Sequence, residues 1–345
     1  MDFSDFQANV PLAPFTTTRI GGPAEYLFIA TKQSRLFSVL KFVSSSIQNS
    51  KLKIENFHLL GLGSNVIISD SGLPGLTVIN KATGIKVFPK VYQSNKFFPT
   101  YTQRQENDPQ NYLHFSKIDY DESGLPTQEV QILAGNPLPL AINQTLSLGL
   151  TGLQWFSYIP GTVGGAVYQN THGGKYHFSD YLVSVKVFNL ETGKTKIYKK
   201  PELSWGYESS FFQANPHLII LSARLRLFKG DTKLAKQVST AWILQKSKVQ
   251  PMNSAGSVFA NPPLELCFAE WGEQKSTGWI IDHELNLKGF AIGDAQISEK
   301  HSNFIVNRGH ATATDYFALV KHVQKLVRDR FGFDLIPEVK FLGKF

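Results

Sequence analysis

The stretch Ile159-Pro160-Gly161-Thr162-Val163-Gly164-Gly165 places three glycines in five positions. Glycine reaches backbone angles closed to other residues and lets a ligand approach bare amides. Consecutive amides of this kind form a concavity suited to a phosphate or pyrophosphate. The same composition predicts a loop rather than the interior of a helix or strand. A second loop, Gly61-Leu62-Gly63-Ser64-Asn65, lies between the apolar runs Phe57-His58-Leu59-Leu60 and Val66-Ile67-Ile68. Two such loops point to one extended anionic ligand gripped at two places, as a dinucleotide would be. The residues expected to hold it are Gly61, Gly63, Ser64, Asn65, Gly161, Thr162, Gly164 and Gly165.

Other chemistries are less well supported. A Rossmann fingerprint needs a third glycine, a helix directly after the loop and an acid ~20 residues on. Here Val66 takes the glycine position, a strand-like run follows, and Asn80-Lys81 stands where the acid belongs. Ser257, in Ala255-Gly256-Ser257-Val258-Phe259, follows a glycine but lies outside any Gly-X-Ser-X-Gly elbow. By itself it is a strand-edge serine bonded to backbone. His301 and Asn303 form a polar pair in an apolar setting, which suits a structural hydrogen bond. Glu338 sits on a short terminal strand beside Val339, so the two face opposite ways. No metal motif is visible, and the single cysteine, Cys267, excludes an intramolecular disulfide and a Cys-X-X-Cys pair.

The elements that must position these groups follow from periodicity and punctuation. Strands are predicted at residues 25–30, 66–68, 75–79, 130–135, 183–188, 194–198 and 217–228. Helices are predicted at 34–46, 137–148 and 231–245, the last from the spacing of Leu234, Val238, Ala241 and Trp242. A long helix starts near Thr312, with Asp315 three residues on as a capping-box pair, and ends near Gly332. Residues from about 90 to 127 turn polar and form an irregular insertion or a long hairpin tip.

The chain has 345 residues, enough for two or three domains, and 42% hydrophobic with 18% charged residues describes an ordinary soluble protein. The net charge of +8 suits polyanionic small molecules, and the scattered Lys and Arg argue against nucleic acid. No signal peptide is visible, no apolar run approaches the ~18–20 residues of a membrane span, and a lone cysteine fits the cytoplasm.

The central loop, the 61–65 loop, Ala255-Gly256-Ser257-Val258-Phe259 with Asn261-Pro262, and Pro337-Glu338-Val339 ending in Gly343 occur in order in one chain. That set resembles the UDP-N-acetylenolpyruvoylglucosamine reductase (MurB) family of peptidoglycan synthesis. Leu287-Lys288-Gly289, the run from Ser298 to Phe304, and Ala311-Thr312-Ala313 extend the resemblance from about Phe15 to Gly343.

The resemblance implies an α+β fold. Residues 1–80 and 81–229 would be two FAD-binding α+β subdomains of the vanillyl-alcohol-oxidase type, and 230–345 a C-terminal α+β substrate domain. It further implies FAD, NADPH as reductant, and UDP-N-acetylglucosamine enolpyruvate as the small-molecule substrate, with a monomer favoured. Ser257 matches the proton-donating serine, and Glu338 the glutamate that stabilises the intermediate and is held neutral by burial. Asn261 and Tyr207 match substrate contacts, and Lys246 or Lys248, of which Lys248 is preferred, would meet the diphosphate. The family's Gly-Tyr-Arg-X-Ser is Gly206-Tyr207-Glu208-Ser209-Ser210 here, so an acidic side chain replaces the cation that faces the substrate carboxylate. Arg19 is a candidate substitute. Its segment Asn-Ala-Gly after the central loop is Asn170-Thr171-His172-Gly173 here. The alternatives are a diverged flavoprotein oxidase or dehydrogenase of the same fold, and an inactive protein that binds flavin or UDP-sugar.

Overall fold

The computed structural model describes residues 5–93, 120–174 and 176–345. The N-terminal unit contains β1 (Gln7–Pro11), β2 (Pro23–Ala30), α1 (Gln33–Gln48), β3 (Phe57–Leu60), β4 (Val66–Ile68) and β5 (Leu73–Asn80). Its sheet runs β1-β2-β5-β3, with β2 and β3 parallel to β5 and β1 antiparallel to β2. The α1 stripe of Leu36, Val39, Leu40 and Val43 is fully buried. It packs with Phe28, Leu76 and Val78, and with Phe188, Leu190, Ile219 and Leu221 from the next unit. One apolar core therefore joins the first two units.

The middle unit contains β6 (Ile85–Tyr92), β7 (Thr127–Leu133), α2 (Leu138–Ser147), α3 (Val163–Gln169), β8 (His172–Gly173), β9 (Tyr176–His177), β10 (Leu182–Asn189), β11 (Thr195–Lys199), β12 (Trp205–Gly206), β13 (Ser209–Ser210) and β14 (Leu218–Phe228). Five of these strands form an antiparallel sheet in the order β11-β10-β14-β7-β6. Tyr92 pairs with Thr127, so the expected insertion at about 90–127 is flanked by an antiparallel ladder, which carries a register shift between Val87 and Val91. Residues 94–119 of that insertion lie outside the described residues.

The C-terminal part contains α4 (Thr232–Val249), α5 (Leu264–Trp271), α6 (Thr277–Trp279), β15 (Ala291–Ile292), β16 (Ala295–Ile297), β17 (Ile305–Asn307), α7 (Ala313–Phe331) and β18 (Lys340–Leu342). Helix α4 turns Ala235, Val238 and Trp242 into the middle unit's core. Packing thus groups α4 with the middle unit, whereas the sequence division starts the C-terminal domain at residue 230. Helix α7 has the expected capping box, Asp315 N donating to Thr312 Oγ1 at 3.0 Å and Thr312 N to Asp315 Oδ2 at 3.0 Å. Its first turn is docked by Asp70 of the β4–β5 turn, which accepts from Ala313 N at 2.8 Å and Thr314 N at 2.9 Å. Strand β18 then returns to pair in parallel with β4. The end of the chain is built into its beginning.

Candidate active site

The two glycine loops meet. Ser64 Oγ donates to Pro160 O at 2.9 Å. A Cβ at Gly61 would lie 2.6 Å from Thr162 Oγ1, and one at Gly63 (φ +59°) would lie 2.3 Å from Phe15 O. A side chain at Gly61 would collide with the central loop and one at Gly63 with the backbone of residues 15–16, so both approaches require bare backbone. The loop expectation fails for part of the central motif. Gly164 and Gly165 form the first turn of α3, with Thr162 as N-cap accepting from Gly165 N at 3.2 Å. Local propensity disfavours two glycines there. The close approach to Ala134, just after β7, requires one of them, since a Cβ at Gly164 would meet Ala134 Cβ at 2.9 Å.

These loops form one wall of a cleft of about 630 Å³ that draws residues from all three units. Gly61, Gly63, Ser64, Asn65, Gly161, Thr162, Gly164 and Gly165 all line it, as do Ser257, Glu338, Asn261 and Tyr207. A volume of this size suits a nucleotide-sized ligand.

Ser257 is not on a strand. It is a half-buried residue of a loop that starts at Gly256 (φ +81°) and is clamped by Asn303. Asn303 is buried; its backbone O accepts from Val258 N at 2.8 Å, its Oδ1 from Phe259 N at 3.1 Å, and its Nδ2 donates to Phe259 O at 2.8 Å. His301 Nδ1 accepts from Asn303 N at 3.2 Å, so the pair is structural as expected, with burial pushing the imidazole pKa down. On the other side Glu338 N donates to Val258 O at 2.9 Å, which seats Glu338 beside the serine loop. Asn65 Nδ2 donates to Glu338 O at 3.4 Å, and Lys340 N donates to Asn65 O at 3.0 Å. One short segment thus ties the serine loop to the first glycine loop. Val339 points into the core and Glu338 lines the cleft, half-buried rather than buried, just before β18. Asn261 Oδ1 accepts from Thr277 N at 3.0 Å, which fixes its amide at the α6 end of the wall.

Two cations fall elsewhere than expected. Lys248 is exposed and does not line the cleft. Lys246 does: it is buried in the last turn of α4, its Nζ lies 5.1 Å from the Trp242 ring centroid, and burial lowers its pKa from 10.5 to about 8. The signal was available, because Trp242 sets the buried face and Lys246 lies one turn further along it, while two residues more reverse the direction. Arg19 is exposed, donates to Pro14 O at 3.3 Å and is not among the lining residues.

Tyr207 and Glu208 form the turn between β12 and β13, with Glu208 at φ +47°. The turn is anchored by Asn170 Nδ2 donating to Gly206 O at 2.7 Å and Gln213 Nε2 donating to Glu208 O at 3.0 Å. Glu208 Oε1 lies 2.8 Å from His172 Nδ1. The imidazole is 5.4 Å from the Tyr207 ring, centroid to centroid. His172 lines the cleft and was not singled out from sequence as a site residue, because its partner is 36 positions away.

The model of the UDP-N-acetylenolpyruvoylglucosamine reductase C-terminal domain matches residues 245–342, and that of an FAD binding domain matches 113–197. A UDP-N-acetylenolpyruvoylglucosamine reductase of Prochlorococcus marinus (strain NATL2A) is 33% identical over 99% of this chain and 100% of its own. This chain belongs to the UDP-N-acetylenolpyruvoylglucosamine reductase family. Its likeness to the relative so named from Synechococcus sp. (strain WH7803) is 34% identity over 99% of this chain and 94% of the relative. The crystal structure of the Thermus caldophilus UDP-N-acetylenolpyruvylglucosamine reductase aligns with a TM-score of 0.68 at 27% identity, covering 98% of this chain and 100% of that one. The FAD-domain match ends in β11 and spans the central loop, while the reductase C-terminal match spans Lys246, Ser257 and Glu338. In this member of the family, both matches contribute to one cleft.

Proposed function

We propose that this chain reduces UDP-N-acetylglucosamine enolpyruvate to UDP-N-acetylmuramate, with NADPH as reductant and FAD as carrier, in cytoplasmic peptidoglycan precursor synthesis. The observation that carries this reading is the Glu338 N to Val258 O bond, which brings the two expected catalytic carriers side by side on the cleft of the glycine loops. Gly61, Gly63, Ser64, Asn65, Gly161, Thr162, Gly164 and Gly165 line the cleft where the two loops meet, and would hold FAD there with its pyrophosphate on bare amides.

Reduced FAD, when bound, supplies a hydride for the enolpyruvyl methylene carbon. Negative charge then develops on the adjacent carbon and its carboxylate. Ser257 Oγ gives its proton to that carbon and recovers one from solvent. A protonated Glu338 carboxyl would donate a hydrogen bond to the carboxylate oxygen on which charge accumulates. Lys246 Nζ meets the diphosphate in place of the exposed Lys248, and the Asn261 amide and Tyr207 orient the sugar-linked end. Lys246 is buried, so its charge is screened little.

The test is anaerobic stopped-flow on the FAD-loaded protein, following flavin absorbance. NADPH bleaches the flavin, and UDP-N-acetylglucosamine enolpyruvate restores it. Bleaching without restoration would assign the chain to another substrate, and a protein that cannot be loaded with FAD would overturn the reading altogether.

A further inference from the structure

Among the described residues, the charged or titratable groups lining the cleft, tyrosines apart, are His58, His172, Glu208, Lys246, Glu338 and Lys340. The proposed substrate brings a diphosphate and, at the reacting end, a carboxylate. Glu208 and Glu338 repel that carboxylate when ionised. Lys246 is allotted to the diphosphate. His58 is driven toward the neutral imidazole by burial, which lowers its pKa against a smaller opposing bond to Pro74 backbone. Lys340 is exposed on β18, where solvent screens it. His172 is what remains.

We infer that His172, held by Glu208, is the group that recognises the carboxylate of the substrate and so selects carboxylate-bearing UDP-sugars. This rests on the function proposed above. The geometry supports it on three counts. The 2.8 Å Nδ1 to Oε1 contact is of charge-assisted length and favours the imidazolium. The β12–β13 turn that carries Glu208 is fixed to the C-cap of α3 through Asn170, so the carboxylate is held rather than floating. The Tyr207 ring at 5.4 Å and the His177 ring at 6.3 Å flank the imidazole and limit its rotation. Glu208, Tyr207 and His177 are the titratable groups facing His172 among the described residues, from the β12–β13 turn and from β9. Glu208 is in this scheme a positioning residue: it acts through His172 and explains how an anion is accommodated in a cleft built for an anionic substrate.

The experiment compares two ligands on the oxidised, FAD-loaded protein by titration of flavin absorbance between pH 5.5 and 9 (~, spanning ordinary imidazole titration). UDP-N-acetylglucosamine enolpyruvate carries the carboxylate; UDP-N-acetylglucosamine lacks it. The wild-type preference for the first falls about tenfold per pH unit once the imidazole loses its proton. His172→Asn abolishes that pH dependence and cuts the preference by about 10- to 100-fold, while affinity for UDP-N-acetylglucosamine is unchanged. Glu208→Gln keeps the preference at low pH and moves its decline to lower pH. A preference and pH profile that survive His172→Asn overturn the inference and leave the reductase reading standing. Equal weakening of both ligands also overturns it, because that is the signature of a structural role. Wild-type protein first reduced with NADPH, whose flavin the enolpyruvyl ether then fails to reoxidise, overturns the reductase reading itself.

Discussion

Glu122 offers the sharpest quantitative prediction. It follows the 94–119 segment, is only 3% exposed, and accepts from Gln154 Nε2 at 2.8 Å and Trp155 Nε1 at 3.4 Å. Burial raises its pKa from the ordinary 4.5 to about 7, against hydrogen bonds from Thr151, Gln154 and Trp155 that pull the other way. The sign follows from linkage. Below pH 4.5 the carboxyl is protonated in both states and stability carries no penalty. Between 4.5 and about 7 the unfolded chain ionises while the folded one keeps its proton, so stability falls as pH rises, and above about 7 the whole loss is in place. At 1.36 kcal/mol per pH unit that window is worth about 3 kcal/mol. Glu122→Gln removes the ionisation and keeps an acceptor for Gln154. Urea unfolding of both proteins at pH 4.5 (~) and pH 8 (~), either side of the window, should show the variant gaining up to ~3 kcal/mol on the wild type at the higher pH. Differences between the proteins cancel other titrating groups. A wild-type-minus-variant difference that stays flat across the window would refute the argument, since a group ionised equally in both states contributes no slope.

Three further outcomes are expected. Ser257→Ala should leave flavin reduction by NADPH fast and slow reoxidation by the enolpyruvyl substrate by roughly 10²–10⁴, so stopped-flow showing equal loss in both half-reactions would remove the proton-donor role. Asn303→Ala deletes two buried hydrogen bonds to Phe259 and should cost about 2–4 kcal/mol in unfolding experiments while slowing reoxidation more than reduction; activity untouched by the change would show that the serine loop holds without its clamp. Lys246 has its pKa lowered to about 8 by burial, so it is charged below that value and neutral above it. Affinity for UDP-N-acetylglucosamine should fall as pH rises through about 8, and Lys246→Met should weaken binding about tenfold or more below that pH and remove the dependence. Calorimetric titrations with identical profiles for both proteins would exclude Lys246 from the diphosphate site.

Local pattern determined a good deal of this protein. The capping box of α7, the Asp231 cap and apolar stripe of α4, and the strand–glycine–strand run around Gly61 are settled by residues within a few positions of one another. Such features need only backbone sterics, capping and periodicity. The order of the motifs carried the family. Tertiary structure decided the rest. Gly164 enters a helix against its propensity because Ala134, just after β7, comes within contact of it. Ser257 becomes part of a site only when Asn303 and Glu338 close on its loop from 46 and 81 positions away. Asn65 reaches Glu338 across 273 residues. The replacement Glu208 makes physical sense only beside His172, a pairing that no spacing along the chain announces. Short-range geometry is written in neighbouring residues, whereas these contacts exist only after folding has met the entropy of closing long loops.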